Sequence, residues 1–222
     1  MLVEEWMTSN VITVTPDISI MKAARIMKDS NIRRLPVVDS EGCLMGIVSD
    51  RDIRDASPSK ATTLDMHELN YLLSELKVKD IMTKKPKCAK RDSSVEALAL
   101  MMVKYNFGGV PIVDDRNKVC GIITDSDIFQ VLTSITGVKH GGIQLAFDIP
   151  TGKGKLKEIL ETLRANNATV MSVLTLQDDD ESPTRKVYLR LKKMPAGQDR
   201  VVVAAVEEKF GLLYWEPGIE EV

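Results

Sequence analysis

Apolar residues recur along the chain in two rhythms, and the change from one to the other marks out the elements. After Asp17 they fall at Ile20, Ala23, Ala24 and Met27, and after Asp92 at Val95, Leu98, Ala99 and Met102. The i, i+3, i+4, i+7 spacing predicts a helix with one buried stripe in each place. Ser19 and Ser94 stand just before the stripes, where a hydroxyl can satisfy free amides at a helix start. A β-branched run follows each helix, LPVVD or VPIVD, then a turn at Glu41-Gly42 or Arg116-Asn117, then a second apolar run, LMGIVS or VCGIIT. This pattern predicts a hairpin. Short helices are expected directly afterwards at DRDIRD and DSDIFQ, so each copy reads strand, helix, strand, strand, helix.

The two copies align without insertion at a separation of about 75 residues. Identical pairs include Met7 with Met82, Asp17 with Asp92, Pro36 with Pro111, Asp39 with Asp114, Gly46 with Gly121, and Asp52 with Asp127. Between the copies, Leu64, Leu69, Leu72, Leu73 and Leu76 predict a bridging helix. After Thr136 the run GVKHGGI predicts a linker. Beyond it, IQLAFDI, TVMSVLTL, RKVYLRL and LLYW read as strands, while KLKEILETLRANN and VVVAAVEEKFG read as helices. The order βαββαβ fits a ferredoxin-like sheet with helices on one face. The expected class is α+β, with repeats at 1–60 and 78–136, a bridging helix at 61–77, a linker at 137–142 and a last domain at 143–222.

Composition narrows the functions. With 222 residues, 44% hydrophobic, 28% charged and a net charge of −2, the chain suits two or three ordinary globular modules. That charge argues against nucleic acid as a partner, which needs a concentrated positive surface. No apolar run approaches the roughly 20 residues that span a bilayer, and the acidic start MLVEEWMTSN does not resemble a signal peptide, so a cytoplasmic location without membrane contact is expected. Cys43, Cys88 and Cys120 lack metal or disulfide spacing and read as small core or strand residues. His67 has no second ligand at metal spacing, and Asp178, Asp179 and Asp180 read as a solvated hairpin loop before a metal site. GKGK is not a phosphate-binding P-loop, because Leu156 occupies the place of the final Ser or Thr. Two isolated histidines and no nucleophile motif leave little for catalysis, so neither a catalytic residue nor a required cofactor is expected.

The candidate chemistry is a hydroxyl and a carboxylate three residues apart at a strand-to-helix junction: Ser49 with Asp52, and Thr124 with Asp127. A carboxylate with two acceptor oxygens can take hydrogen bonds from both hydroxyls of a ribose. The hydroxyl can reach the sugar or its phosphate, and the helix start favours an anion. Ile12, Val14, Val37 and Ile112 are candidates to sandwich a planar base. The same S-x-x-D and T-x-x-D patterns also make a helix capping box, and the two roles are compatible.

GIVSDRD, from Gly46 to Asp52, and GIITDSD, from Gly121 to Asp127, match the pattern G-h-h-[ST]-x-x-D after a short hairpin. In this the chain resembles the CBS family, whose tandem repeats form one disc-shaped module with two nucleoside clefts. The resemblance implies that the two positions before LPV and the one before the Asp face phosphates. Arg33, Arg34 and Arg51 occupy them in the first repeat, and Gly108, Gly109 and Ser126 in the second. Unequal sites are expected, with a phosphorylated ligand near the first repeat and weaker or uncharged adenosine near the second. The alternative is that these arginines are solvated surface charge. The candidate nucleotide-binding set is Ile12, Arg33, Arg34, Pro36, Val37, Ser49, Arg51 and Asp52, with Gly109, Pro111, Ile112, Thr124, Ser126 and Asp127.

Asp148, Ile149 and Pro150 match the start of the D-x-P-G-x-L pattern of the ACT family, which Gly154 and Leu156 complete only after an insertion. This resemblance implies binding of a small effector such as an amino acid. Tandem CBS repeats followed by an ACT-like domain resemble acetoin-utilisation AcuB-type proteins. That implies a non-catalytic, homodimeric regulator of a partner enzyme, responding to AMP, ADP, ATP or S-adenosylmethionine. The alternative reading is a structural dimerisation subunit whose clefts bind nothing.

Overall fold

The computed structural model describes residues 1–57, 75–152, 154–177 and 182–218. Most of the bridging helix expected at 61–77, with His67, and the Asp178 to Asp180 loop lie outside the described residues. The chain separates into two compact units, Met1–Ile128 and Phe129–Val222.

In the first unit the helices α1 (Ile20–Asp29) and α4 (Val95–Tyr105) begin where the serines predict. Ser19 Oγ accepts from the Lys22 amide at 3.3 Å, and Ser94 Oγ from the Ala97 amide at 3.1 Å. Ile20, Ala23 and Met27 are buried on α1, as are Val95, Leu98 and Met102 on α4, while Ala24 and Ala99 are half-buried. Both helices end at a left-handed asparagine, Asn31 at φ 51° and Asn106 at φ 53°; asparagine adopts this conformation more readily than other residues with a Cβ.

Each helix leads into an antiparallel hairpin: β1 (Arg34–Val38) with β2 (Leu44–Ser49), and β4 (Gly109–Val113) with β5 (Val119–Thr124). The hairpin turns explain one repeated identity. Asp39 Oδ1 accepts from the amides of Glu41 and Cys43 at 2.9 and 2.8 Å, and Asp114 Oδ1 from Arg116 and Lys118 at 2.9 and 2.8 Å. Helices α2 (Asp50–Ala56) and α5 (Asp125–Ile135) follow the hairpins directly. The division between the two units falls within α5.

The leading strand expected in each repeat is reduced to one parallel bridge, Val14 to Val37 and Ala89 to Ile112. The Val14 amide donates to Pro36 O and the Val38 amide to Val14 O, a pattern repeated by Ala89 with Pro111 and Val113. The ladder stops there because the next rung toward the N-terminus needs an amide hydrogen at residue 36 or 111, and proline has none.

What precedes each bridge pairs with the other repeat. Thr8 exchanges two backbone hydrogen bonds with Ile122 of β5, at 2.9 and 3.0 Å. In the converse exchange, β3 (Thr83–Lys84) adds to β2, with Thr83 opposite Ile47. A short helix α3 (Val78–Ile81) precedes β3. The exchange explains two more identities: a Cβ on Gly46 would lie 2.6 Å from Met82 Sδ, and one on Gly121 would collide with Met7 Sδ. The hairpin tips also join, with Cys43 bridged to Lys118 and the Leu44 amide donating to Asn117 O at 2.9 Å. None of the three cysteines is a core residue: Cys43 and Cys120 are half-buried at strands and Cys88 is exposed.

The second unit carries the βαββαβ order: β6 (Ile143–Pro150), α6 (Lys155–Ala165), β7 (Val170–Leu176), β8 (Thr184–Leu191), α7 (Gln198–Phe210) and β9 (Leu212–Pro217). Its antiparallel sheet runs β7-β8-β6-β9, the ferredoxin-like order. Leu145, Phe147, Leu189 and Leu191 of the central strands pack with Ile159, Leu163, Val202 and Val206 of the helices.

Candidate nucleoside-binding clefts

Both hydroxyl and carboxylate pairs form the capping box, and in the same way. The amide and Oγ of Ser49 donate to Asp52 Oδ2, each at 2.7 Å, and the Asp52 amide donates to Ser49 Oγ at 3.2 Å. In the second repeat, Thr124 N and Oγ1 donate to Asp127 Oδ2 at 2.7 and 2.8 Å, and the Asp127 amide returns a bond to Oγ1 at 3.4 Å. The cap therefore occupies one oxygen of each carboxylate. Among the described residues Oδ1 of Asp52 and of Asp127 has no hydrogen-bond partner, and both side chains are half-buried. Such a carboxylate is held rigidly by its own helix and keeps acceptor capacity for a further donor.

Each carboxylate opens on a cleft built from both repeats. The Asp127 cleft, about 380 Å³, is lined from the second repeat by Ile122, Thr124, Asp125 and Ser126, and from the first by Thr8, Asn10, Val11, Ile12 and the run Asn31 to Arg34. The Asp52 cleft, about 670 Å³, combines Ile47, Ser49, Asp50, Arg51 and Arg54 with Thr83 and the run Asn106 to Gly109. Both volumes fall in the roughly 300–1,000 Å³ range of small-molecule sites.

This arrangement regroups the residues expected from sequence. Ile12, Arg33 and Arg34 meet Thr124, Ser126 and Asp127, while Ser49, Arg51 and Asp52 meet Gly109, with Arg33 and Arg34 on the border of that cleft as well. Arg33 and Arg34 of the first repeat thus do not belong to its own carboxylate alone. The strand exchange carries Thr8 and Thr83 across to the other repeat, and Arg34 at the start of β1 lies against Gly108 and Gly109.

Five expected residues line neither cleft. Pro36 and Pro111 are buried in strands, and Val37 and Ile112 are fully buried; Val14, expected against the base, is buried with Val37 in the core of the first repeat. The apolar walls are instead Val11, Ile12, Ile32 and Ile122 in one cleft, and Ile47, Met102, Val103 and Phe107 in the other. Sequence reasoning missed Thr8, Thr83, Asn31, Asn106, Asp50 and Asp125. Each is identical to its counterpart in the other repeat, and that is the signal that could have found them.

The CBS domain family model matches residues 3–59 and 78–134, together just over half of the chain. The chain belongs to the CBS domain family. L-aspartate semialdehyde sulfurtransferase of Methanocaldococcus jannaschii is 38% identical to the CBS pair over 130 residues, which is 59% of this chain but only 23% of that enzyme. The solved CBS pair of protein MJ0100, in complex with 5′-methylthioadenosine and S-adenosyl-L-methionine, is 35% identical with a TM-score of 0.51, covering 60% of this chain and 97% of that one. CBSX2 of Arabidopsis thaliana, in complex with AMP, is 29% identical with a TM-score of 0.51, covering 60% and 97%. A Vibrio cholerae structure assigned as the acetoin utilization protein AcuB is 27% identical with a TM-score of 0.52, covering 63% and 95%. Among the described residues no group of His, Cys, Asp or Glu has the arrangement of a metal site, and no helix is long and apolar enough to cross a membrane.

Proposed function

We propose that this chain is a non-catalytic sensor whose CBS pair binds an adenosine-containing ligand, either AMP, ADP, ATP or S-adenosylmethionine. The observation that carries the reading is the duplicated, half-buried carboxylate. One oxygen is consumed by its own helix cap and the other is left to a ribose hydroxyl at the mouth of an apolar-walled cleft. The adenosine compounds bound by MJ0100 and CBSX2 support it. Binding that prefers one arrangement of the pair over another is what transmits a signal to a regulated enzyme partner.

Homodimerisation is part of the reading, supported by Leu100 of α4, an apolar side chain that is 73% exposed. The ferredoxin-like sheet supports an ACT-like role for the second unit, taking a small effector such as an amino acid. A cytoplasmic location fits a sensor of nucleotide state.

Calorimetric titration and thermal unfolding with adenosine, AMP, ADP, ATP and S-adenosylmethionine test the proposal. At a hundredfold excess over Kd, a ligand bound only by the native state adds about 2.7 kcal/mol of stability. Asp52→Asn with Asp127→Asn keeps an acceptor for each cap, removes the carboxylates and is expected to abolish binding. Absence of heat and of stabilisation with every ligand would sink the sensor reading and leave a structural subunit; turnover of any ligand would make the chain an enzyme.

A further inference from the structure

We infer that Arg34 is a phosphate-recognising guanidinium shared by the two clefts, and that Asp125 is its built-in competitor. A phosphorylated ligand in one cleft therefore weakens a phosphorylated ligand in the other, whereas uncharged nucleosides fill the two independently. The inference rests on the proposed nucleoside binding and adds a rule for selectivity and occupancy.

Arg34 opens β1 and borders both clefts. Its side chain, only 22% exposed, reaches over the second repeat, with Nη2 3.7 Å from Asp125 Oδ2. The counterpart position in that repeat is Gly109, and a Cβ there would lie 2.8 Å from Arg34 Cδ. A Cβ on the adjacent Gly108 would collide with the guanidinium itself. The glycines are therefore the space that lets a single arginine lie where two symmetric ones would clash.

The acidic partner is unequal in the same way. Asp50, the counterpart of Asp125, pairs within its own helix with Arg54 at 2.7 Å. The residue matching Arg54 in the second repeat is Phe129, so Asp125 has no such neighbour on its helix and turns to Arg34. A contact of 3.7 Å with a carboxylate that is 51% exposed is weak. A phosphate offers a bidentate, charge-assisted match and can displace it. The Asp52 cleft has Arg51 and Arg54 of its own, but the Asp127 cleft takes its arginines from the first repeat, and those same arginines border both. Two phosphates would meet the same guanidinium and each other's charge.

Calorimetry with AMP and with adenosine tests this on the full chain, on Asp52→Asn and Asp127→Asn to isolate each cleft, and on Arg34→Gln and Asp125→Asn. The expected result is two AMP steps in the unmodified protein, the second at least about fivefold weaker than binding to the same cleft when isolated. Adenosine should show no such difference. Asp125→Asn should raise the ratio of AMP to adenosine affinity several-fold, and Arg34→Gln should reduce AMP affinity about tenfold and abolish the coupling. Equal AMP affinities with and without the second cleft, or an AMP-to-adenosine ratio unmoved by Arg34→Gln, overturns the inference while leaving nucleoside binding intact. Failure of adenosine itself to bind overturns both.

Discussion

At Gly46 the repeat identity has a steric cause that burial alone would not disclose. The missing Cβ makes room for Met82 Sδ at 2.6 Å and the Thr83 carbonyl at 3.0 Å. Gly46→Ala is expected to destabilise the first unit by about 1–3 kcal/mol through overpacking. Because part of the obstruction is a methionine side chain, the penalty should shrink when Met82→Ala is combined with it. Denaturant unfolding of the two single variants and the double reads this directly, and strict additivity would refute the contact. Asp114 makes a second residue-scale case. The hydrogen bond from the Lys118 amide holds its carboxyl below the usual carboxylate range, opposed by desolvation and aided by the Arg116 amide and the charges of Lys90 and Lys118. A depressed folded-state pKa stabilises above the unfolded value and loses that contribution as pH falls through the folded one. Carboxyl NMR titration should therefore find Asp114 protonating below an ordinary aspartate, with its hairpin loosening only there; an ordinary or raised midpoint contradicts the turn geometry. Asp39, Asp114, Pro36, Pro111, Gly46 and Gly121 were all visible as repeated residues, but repetition does not say whether backbone or ligand fixes a residue. These six answer to backbone and packing, whereas the equally repeated Asn31, Asn106, Asp50 and Asp125 line the clefts.

The helices and hairpins were legible because their signals are local: a 3.6-residue stripe, a serine cap, an alternating run closed by Gly42 or by Asn117 at positive φ. The βαββαβ order of the second unit was legible for the same reason. Strand partnership was not. β3 has only two residues, and its place beside β2 is set by long-range pairing that no local pattern announces. That exchange predicts how the elements depend on one another. A chain of residues 1–57 or 78–136 alone leaves β2 without Thr83 or β5 without Thr8, respectively, and should show no cooperative thermal transition, whereas 1–136 should melt cooperatively. A sharp transition in either half by circular dichroism would show that the borrowed strand is dispensable.

For the whole molecule, the exchange decides where binding can occur. Each cleft exists only when both repeats are folded, since Asp127 meets Ile12 and Arg34, and Asp52 meets Gly108 and Gly109. Grouping the residues by repeat therefore captures only half of the neighbours of Arg33 and Arg34, which border the clefts of both carboxylates. The two repeats differ in the charged residues they bring, Arg34 against Gly109 and Arg54 against Phe129. A half-length chain with the same habit could complete its sheet only by trading segments with a sister molecule, at a yield set by dilution. Covalent tandem fusion raises the effective concentration of the missing half and removes that dependence. It also lifts a constraint that twofold identity imposes: a pair of identical chains must keep or discard every arginine twice, while this polypeptide keeps Arg34 and yields it the space beside Gly108 and Gly109.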